Sequence, residues 1–189
     1  MATQKGIDKW KQKQWFAVKA PKAFNDASVG EMPANDEKAA IGRNVVVSLD
    51  GLTHNPSHAY TNVTLKITEV KGEAAQTKLV KMELLPSYIR SFVRRYRSVS
   101  SAVIAVTTKD GAKTIVKLIA ITRSRATHTK IAGVRKEMVE FTLNYFKENE
   151  IDPIIGAIIE GKFQGEMASK LRHITDLNKV EVRKLEVKN

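Results

Sequence analysis

The sequence predicts an α+β fold: an antiparallel sheet curled toward a barrel or sandwich, with a basic helix inserted between hairpins and C-terminal helices packed against it. Two observations carry that reading. Strand-length segments of alternating apolar and polar residues occur in pairs, each pair joined by a short turn containing glycine, whereas the last third of the chain changes to helical spacing. With 189 residues, 42% hydrophobic and 28% charged, the chain is long enough to bury one core. Residues 23–189 read as a single domain behind a basic, aromatic extension over residues 1–22.

Lys5, Lys9, Lys11, Lys13, Lys19 and Lys22 stand in that extension against Asp8 alone, together with both tryptophans, Trp10 and Trp15. Lysines beside aromatic rings suit nucleic acid, where ammonium groups meet phosphates and rings stack on bases. Packing is the competing role: Trp15 and Phe16 are expected to anchor the segment on the core, while Trp10 is open to either. Up to Gln14 the chain is expected to gain order from a partner. Residues 23–42, rich in Asn, Asp, Gly, Pro and Ala, read as a long loop.

Val45, Val46 and Val47, bounded by Gly42 and by Asp50-Gly51, predict a strand. A hairpin follows, with Val63, Leu65 and Ile67 alternating with polar residues and, beyond Lys71-Gly72-Glu73, Val80, Met82 and Leu84 doing the same. Next comes a helix over residues 88–97. At about 100° per residue, Ile89, Phe92, Val93 and Tyr96 share one side, and Arg90, Arg94 and Arg97 form a stripe beside it. Pro86 suits the first turn of such a helix.

Residues 99–106 and 114–121 form a second hairpin, since Asp110-Gly111 supplies the positive φ angles of a tight reversal. The second of these strands is apolar on both faces, as a central strand should be. Ile131, Val134, Met138, Phe141 and Tyr145 set a helix running from residue 129 or 130 to about 147. Asp152-Pro153 starts another, which runs to about Gly161, and a third passes through Met167 and Leu171. Val180 and Val182, then Leu185 and Val187, change phase and predict a bulged final strand.

Charge points to a class of partner. Residues 86–136 hold seven Arg and five Lys against Asp110 alone, whereas residues 137–189 hold eight basic and ten acidic residues. Four of the ten arginines fall within eight residues, Arg90 to Arg97. A one-sided field stores self-repulsion that a polyanion relieves. Arg90, Arg94, Arg95, Arg97, Arg123, Arg125, Lys130, Arg135 and Lys136 are the candidate phosphate contacts, with Lys109 and Lys113 at the tip of the second hairpin able to grip a more distant phosphate. Lys130, Arg135 and Lys136 near a helix start oppose the helix dipole, a conflict that a bound phosphate resolves. Phosphate pattern and shape would carry recognition, because no motif for reading bases occurs.

Other chemistry finds little support. Gly156 to Lys162 has the glycine and lysine spacing of a phosphate-binding loop, but Phe163 replaces the hydroxyl residue and no strand precedes it. His54 and His58 flank Asn55 and Pro56, which disfavour a shared helix face, so no metal site is expected. Cysteine is absent, and with it disulfides and thiolate chemistry. No nucleophile or carboxylate pattern argues for an enzyme, and no cofactor is expected. No run of 18 apolar residues and no apolar leader appears, so neither a membrane span nor export is expected.

Several segments, in order, resemble one family. They are residues 15–21 with Phe24, Gly42-Arg43 leading to Ser48-Leu49 and Leu52, residues 88–95, residues 107–111 and residues 131–139. The chain is similar to the small-subunit ribosomal proteins shared by archaea and eukaryotes, the eukaryotic-type S-one or S-three-a family. In lacking a long C-terminal tail it is similar to the archaeal members. The resemblance implies a structural constituent of the cytoplasmic small subunit that binds ribosomal RNA on the platform near the rRNA 3′ end. Neighbouring ribosomal proteins, and mRNA near its exit, would be further partners; no membrane and no second copy of the chain is implied. The family pattern falls on Trp15, Arg43 and the Arg90 to Arg95 cluster. Two alternatives remain at this point: an RNA-binding or RNA-chaperone protein outside the ribosome, and an enzyme on an acidic substrate.

Overall fold

The computed structural model describes residues 10, 13–24 and 26–188, Lys22 by its backbone alone. In chain order these residues form β1 (Gln14–Lys19), a 3-10 turn (Lys22–Phe24), β2 (Ser28–Ala34), α1 (Glu37–Ala40), β3 (Asn44–Ser48), α2 (Leu49–Thr53) and a second 3-10 turn (Pro56–His58). Then come β4 (Thr61–Lys71), β5 (Ala74–Leu84), α3 (Pro86–Phe92), β6 (Val99–Thr107), β7 (Lys113–Thr122), α4 (His128–Glu148), α5 (Ile151–Ile159), α6 (Lys162–Leu171) and β8 (Leu177–Lys188). The α+β class is as the sequence predicts.

The strands form one mixed, open sheet in the order β2-β1-β5-β8-β7-β6, with β4 and β3 on the other side of β5. It does not close into a barrel. Both predicted hairpins are present: β4 pairs with β5 around Gly72, whose φ is 61°, and β6 pairs with β7 around Gly111, whose φ is 78°. One pairing is parallel, β1 along β5 at Ala74 to Gln76, while β8 joins the same side of β5 further on, at Lys81 to Glu83. The sheet thus divides along β5 into a large half and a smaller wing.

Two hydrophobic clusters form the core, the larger reaching across β5 to take in Leu49, Leu52, Val63 and Leu65. On one face of the large half, Ala102, Ile104 and Val106 of β6 and Val116, Leu118 and Ala120 of β7 pack with Val134, Met138 and Phe141 of α4, Ile155 of α5, and Phe163, Met167 and Leu171 of α6. The wing closes over Phe16, Val18, Ala34, Ala40, Ile67 and Ala75. The final strand is bulged where the sequence changes phase: Lys117 faces Lys184 but Leu118 faces Val182, leaving Arg183 without an opposite number, so that Val182 and Leu185 are both buried.

Three expectations are corrected. Residues 23–42 are not one long loop, because β2 and α1 lie within them. As an edge strand β2 tolerates Gly30 and Pro33, residues that hide it from pattern reading. Trp15 does not anchor the N-terminal segment: β1 turns consecutive side chains to opposite faces, so Phe16 is 2% exposed and Trp15 is 55% exposed. The basic helix ends at Phe92, and Val93 and Tyr96, assigned to its apolar face, are exposed.

Candidate nucleic-acid interface

The short helix α3 is fastened to the sheet by its aromatic side. Tyr88 stacks on Tyr60 with centroids 4.7 Å apart and meets Phe92 edge-on at 4.9 Å. From β8, the ammonium group of Lys179 lies 4.3 Å from the Phe92 centroid and 4.7 Å from that of Tyr88, and it pairs with Glu181 at 3.0 Å. A cation over ring faces with a carboxylate beside it is held from several directions. Burial opposes the Lys179 charge, yet the bonds to Tyr88 and Glu181 outweigh it and raise its pKa above the ordinary lysine value.

Arginine side chains terminate α3. The last carbonyls of a helix have no partner within it; here Arg94 Nε donates to the Ser91 carbonyl at 3.2 Å and an Arg97 guanidinium nitrogen donates to that of Phe92 at 3.1 Å. Positive charge at this end also complements the helix dipole. The chain then reverses, the Arg97 amide donating to the Arg94 carbonyl at 3.3 Å with Tyr96 at φ 62°.

A second arginine loop, residues 122–127, is tied to this one through Ser98. The Thr122 hydroxyl accepts the Ser98 amide hydrogen at 2.9 Å and the Thr122 amide donates to the Ser98 carbonyl at 2.9 Å. From the far side of the loop the Ala126 amide donates to the Ser98 hydroxyl at 3.1 Å. Arg97, Arg123 and Arg125 are each one residue from a member of this knot, so their backbones lie on the order of 10 Å apart. α4 starts directly behind, with Lys130 in its opening turns, no acidic residue in its first turn and no side-chain capping bond from Thr127.

Little acid faces this end. Arg123 pairs with Asp176 at 3.3 Å, an exposed contact of the kind that contributes little in water. Among the described residues Arg90, Arg94, Arg95, Arg97, Arg125, Lys130 and Arg135 have no salt bridge, and Lys136 reaches Glu140 only at 3.9 Å. All these cations are exposed except Arg97, which is half-buried against the helix end. The fold therefore gathers residues from two loops and two helices, separated by up to 46 positions in the chain, onto one end of the molecule.

The remaining candidates lie elsewhere. Lys109 and Lys113 sit at the opposite end of the β6-β7 hairpin, about 30 Å away for nine residues of strand. That tip is held against α5, the Asp110 carboxylate accepting the Ile151 amide hydrogen at 3.1 Å. Arg43 belongs to the wing, where it donates to the carbonyl of Pro33, the residue paired with Trp15 across β1 and β2. Trp10 is 60% exposed with the Lys13 ammonium 4.0 Å from its ring centroid, and Lys19 is exposed at the end of β1. Lys22 opens the 3-10 turn. Lys5, Lys9 and Lys11 fall outside the described residues.

Pattern reading of the chain did not single out Lys179 or Ser98. Lys179 sits on an ordinary alternating strand, and nothing local marks it as the cation that α3 rests on.

The model of the Ribosomal S3Ae family matches residues 1–189. Small ribosomal subunit protein eS1 of Sulfolobus acidocaldarius is 35% identical over 178 residues, covering 94% of this chain and 90% of that protein. Its counterpart in Sulfurisphaera tokodaii is 36% identical over 177 residues, covering 94% and 92%. For Haloarcula marismortui the figures are 30% over 173 residues, 92% and 81%. Matched along its whole length by the family model and at 30% identity or more by archaeal relatives nearly coextensive with it, the chain belongs to the Ribosomal S3Ae family.

Proposed function

We propose that this protein is a structural constituent of the small ribosomal subunit, acting in the cytoplasm, and that it binds ribosomal RNA through its arginine-rich end, on the platform near the rRNA 3′ end and the mRNA exit. The observation that carries the binding role is the Ser98 knot, which holds two arginine loops together and leaves their guanidinium groups largely without carboxylate partners. Guanidinium and ammonium groups at that spacing suit a folded phosphate backbone, with shape rather than base sequence setting the register. Lys109 and Lys113 would touch a separate stretch of RNA, and the basic, aromatic N-terminal residues would run along the surface of the RNA. The name shared by the relatives, small ribosomal subunit protein eS1, supports the assembly. A protein of this kind works by binding and needs no catalytic group.

Reversing Arg90, Arg94 and Arg97 to Glu tests the reading. The variant gives up the Arg94 and Arg97 bonds to the end of α3 but leaves both cores intact, so it is expected to fold, as circular dichroism would check, and to lose its place on small subunits in sedimentation through a high-salt wash. Undiminished association would remove this end from the interface. Wild-type protein that leaves the subunit in that wash while still binding RNA would favour a role outside the ribosome. Crosslinking in whole-cell lysate would identify the RNA segment touched.

A further inference from the structure

Tyr96 occupies a position its backbone does not favour. It is the third residue of the reversal from Arg94 to Arg97 and has a φ of 62°, a setting in which glycine or asparagine is usual and a bulky side chain is an outlier. Its ring is 82% exposed, more than any other large apolar or aromatic side chain described. Among the described residues it makes no ring contact, no cation–π contact and no hydrogen bond. Core packing therefore gives no reason for a tyrosine here. A backbone outlier of this kind, in a loop whose neighbours are ordered by hydrogen bonds on both sides, is a recognised mark of a working surface.

The surroundings specify the ligand. Arg94, Arg95 and Arg97 flank the ring in sequence, and the Ser98 knot brings Arg123 and Arg125 beside them. A free aromatic face ringed by guanidinium groups has what an unpaired nucleotide requires: a surface for its base and cations for its phosphates. A protein partner would also accept an exposed tyrosine, but so dense a group of cations, with Asp176 on Arg123 as its one carboxylate partner among the described residues, favours the polyanion. We infer that Tyr96 is a stacking platform for an unpaired RNA base, a single-stranded nucleotide site set within the phosphate-binding end. The inference rests on the RNA-binding reading proposed above and adds to it a preference for a splayed-out base over duplex.

The test uses the full chain with two labelled probes, an octamer of riboadenylate and the same backbone with abasic residues, followed by fluorescence anisotropy at one salt concentration. Wild-type protein is expected to hold the base-bearing strand about tenfold tighter, within the range that one stacked base contributes. Tyr96→Phe should keep that preference. Tyr96→Ala should bind both strands at the abasic level with an unchanged salt dependence, and Arg94→Glu with Arg97→Glu should weaken both strands together. If Tyr96→Ala retains the wild-type preference, the stacking role is wrong while RNA binding stands. If it keeps the preference but loses association with small subunits, the ring docks protein instead. Wild-type protein that binds neither strand overturns the stacking role, and if it also fails to bind ribosomal RNA the broader reading falls with it.

Discussion

The Thr122 hydroxyl accepts the Ser98 amide hydrogen at 2.9 Å, joining the start of β6 to the end of β7 between two arginines, Arg97 and Arg123. Thr122 is 3% exposed, so its hydroxyl is no surface ornament. The same oxygen donates to the Ser124 carbonyl at 2.6 Å, shaping the loop that carries Arg125. Thr122→Val keeps the volume and β propensity but removes both bonds. We expect it to cost about 1–3 kcal/mol in chemical denaturation, the range for leaving buried polar groups unsatisfied. RNA affinity should fall several-fold although no charge changes. Full affinity in this variant would mean that the knot is not what orders the two loops.

Affinity should depend steeply on salt. If the seven cations Arg90, Arg94, Arg95, Arg97, Arg123, Arg125 and Lys130 each neutralise one phosphate, log K should fall against log salt with a slope of about −5 to −6. Arg95→Ala should make the slope shallower by about 1. Lys109→Glu with Lys113→Glu, at the far end of the hairpin, should weaken binding less than Arg94→Glu with Arg97→Glu. Equal losses would show that the RNA spans both ends with no dominant site.

Lys179 should matter to stability and to its pH dependence. Its pKa is raised in the folded protein, because bonding to Tyr88 and Glu181 outweighs the opposing effect of burial. A raised lysine pKa stabilises the fold fully below the unfolded value and loses that contribution as pH climbs through the folded one. Melting curves of wild-type protein should therefore show an alkaline loss, above roughly pH 10, that is smaller in Lys179→Met, where only other raised groups such as Lys162 and Tyr145 remain. At neutral pH the substitution should cost about 1–2 kcal/mol through the lost cation–π contact and the unpaired Glu181. Identical alkaline behaviour in the two proteins would place the clamp elsewhere.

Tyr96→Gly should stabilise the protein. A left-handed backbone costs an L residue about 1–2 kcal/mol, partly offset by the greater freedom glycine has when unfolded, for a net gain of about 0.5–1 kcal/mol. Thermal melts check it. A destabilised variant would show that the exposed ring contributes to packing after all.

Short-range physics made much of this protein legible from its residues. Asp110-Gly111 and Gly72 set two hairpins because tight reversals need positive φ, and the 3.6-residue spacing of Val134, Met138 and Phe141 set α4 because one face had to be covered. The phase change between Val182 and Leu185 recorded a bulge, since an extra residue is what returns both to the core. Charge concentration pointed to the basic region without revealing its shape. Tertiary structure decided the rest. Local pattern did not register β2, whose pairing with β1 is supplied from another part of the chain, nor the parallel contact of β1 with β5. Helical periodicity carried α3 past Phe92, but guanidinium groups folding back onto the last carbonyls end it there and release Tyr96 outward. Arg97 and Arg123, 26 positions apart, become neighbours because two strands register, and register is a property of paired chains that no single segment contains.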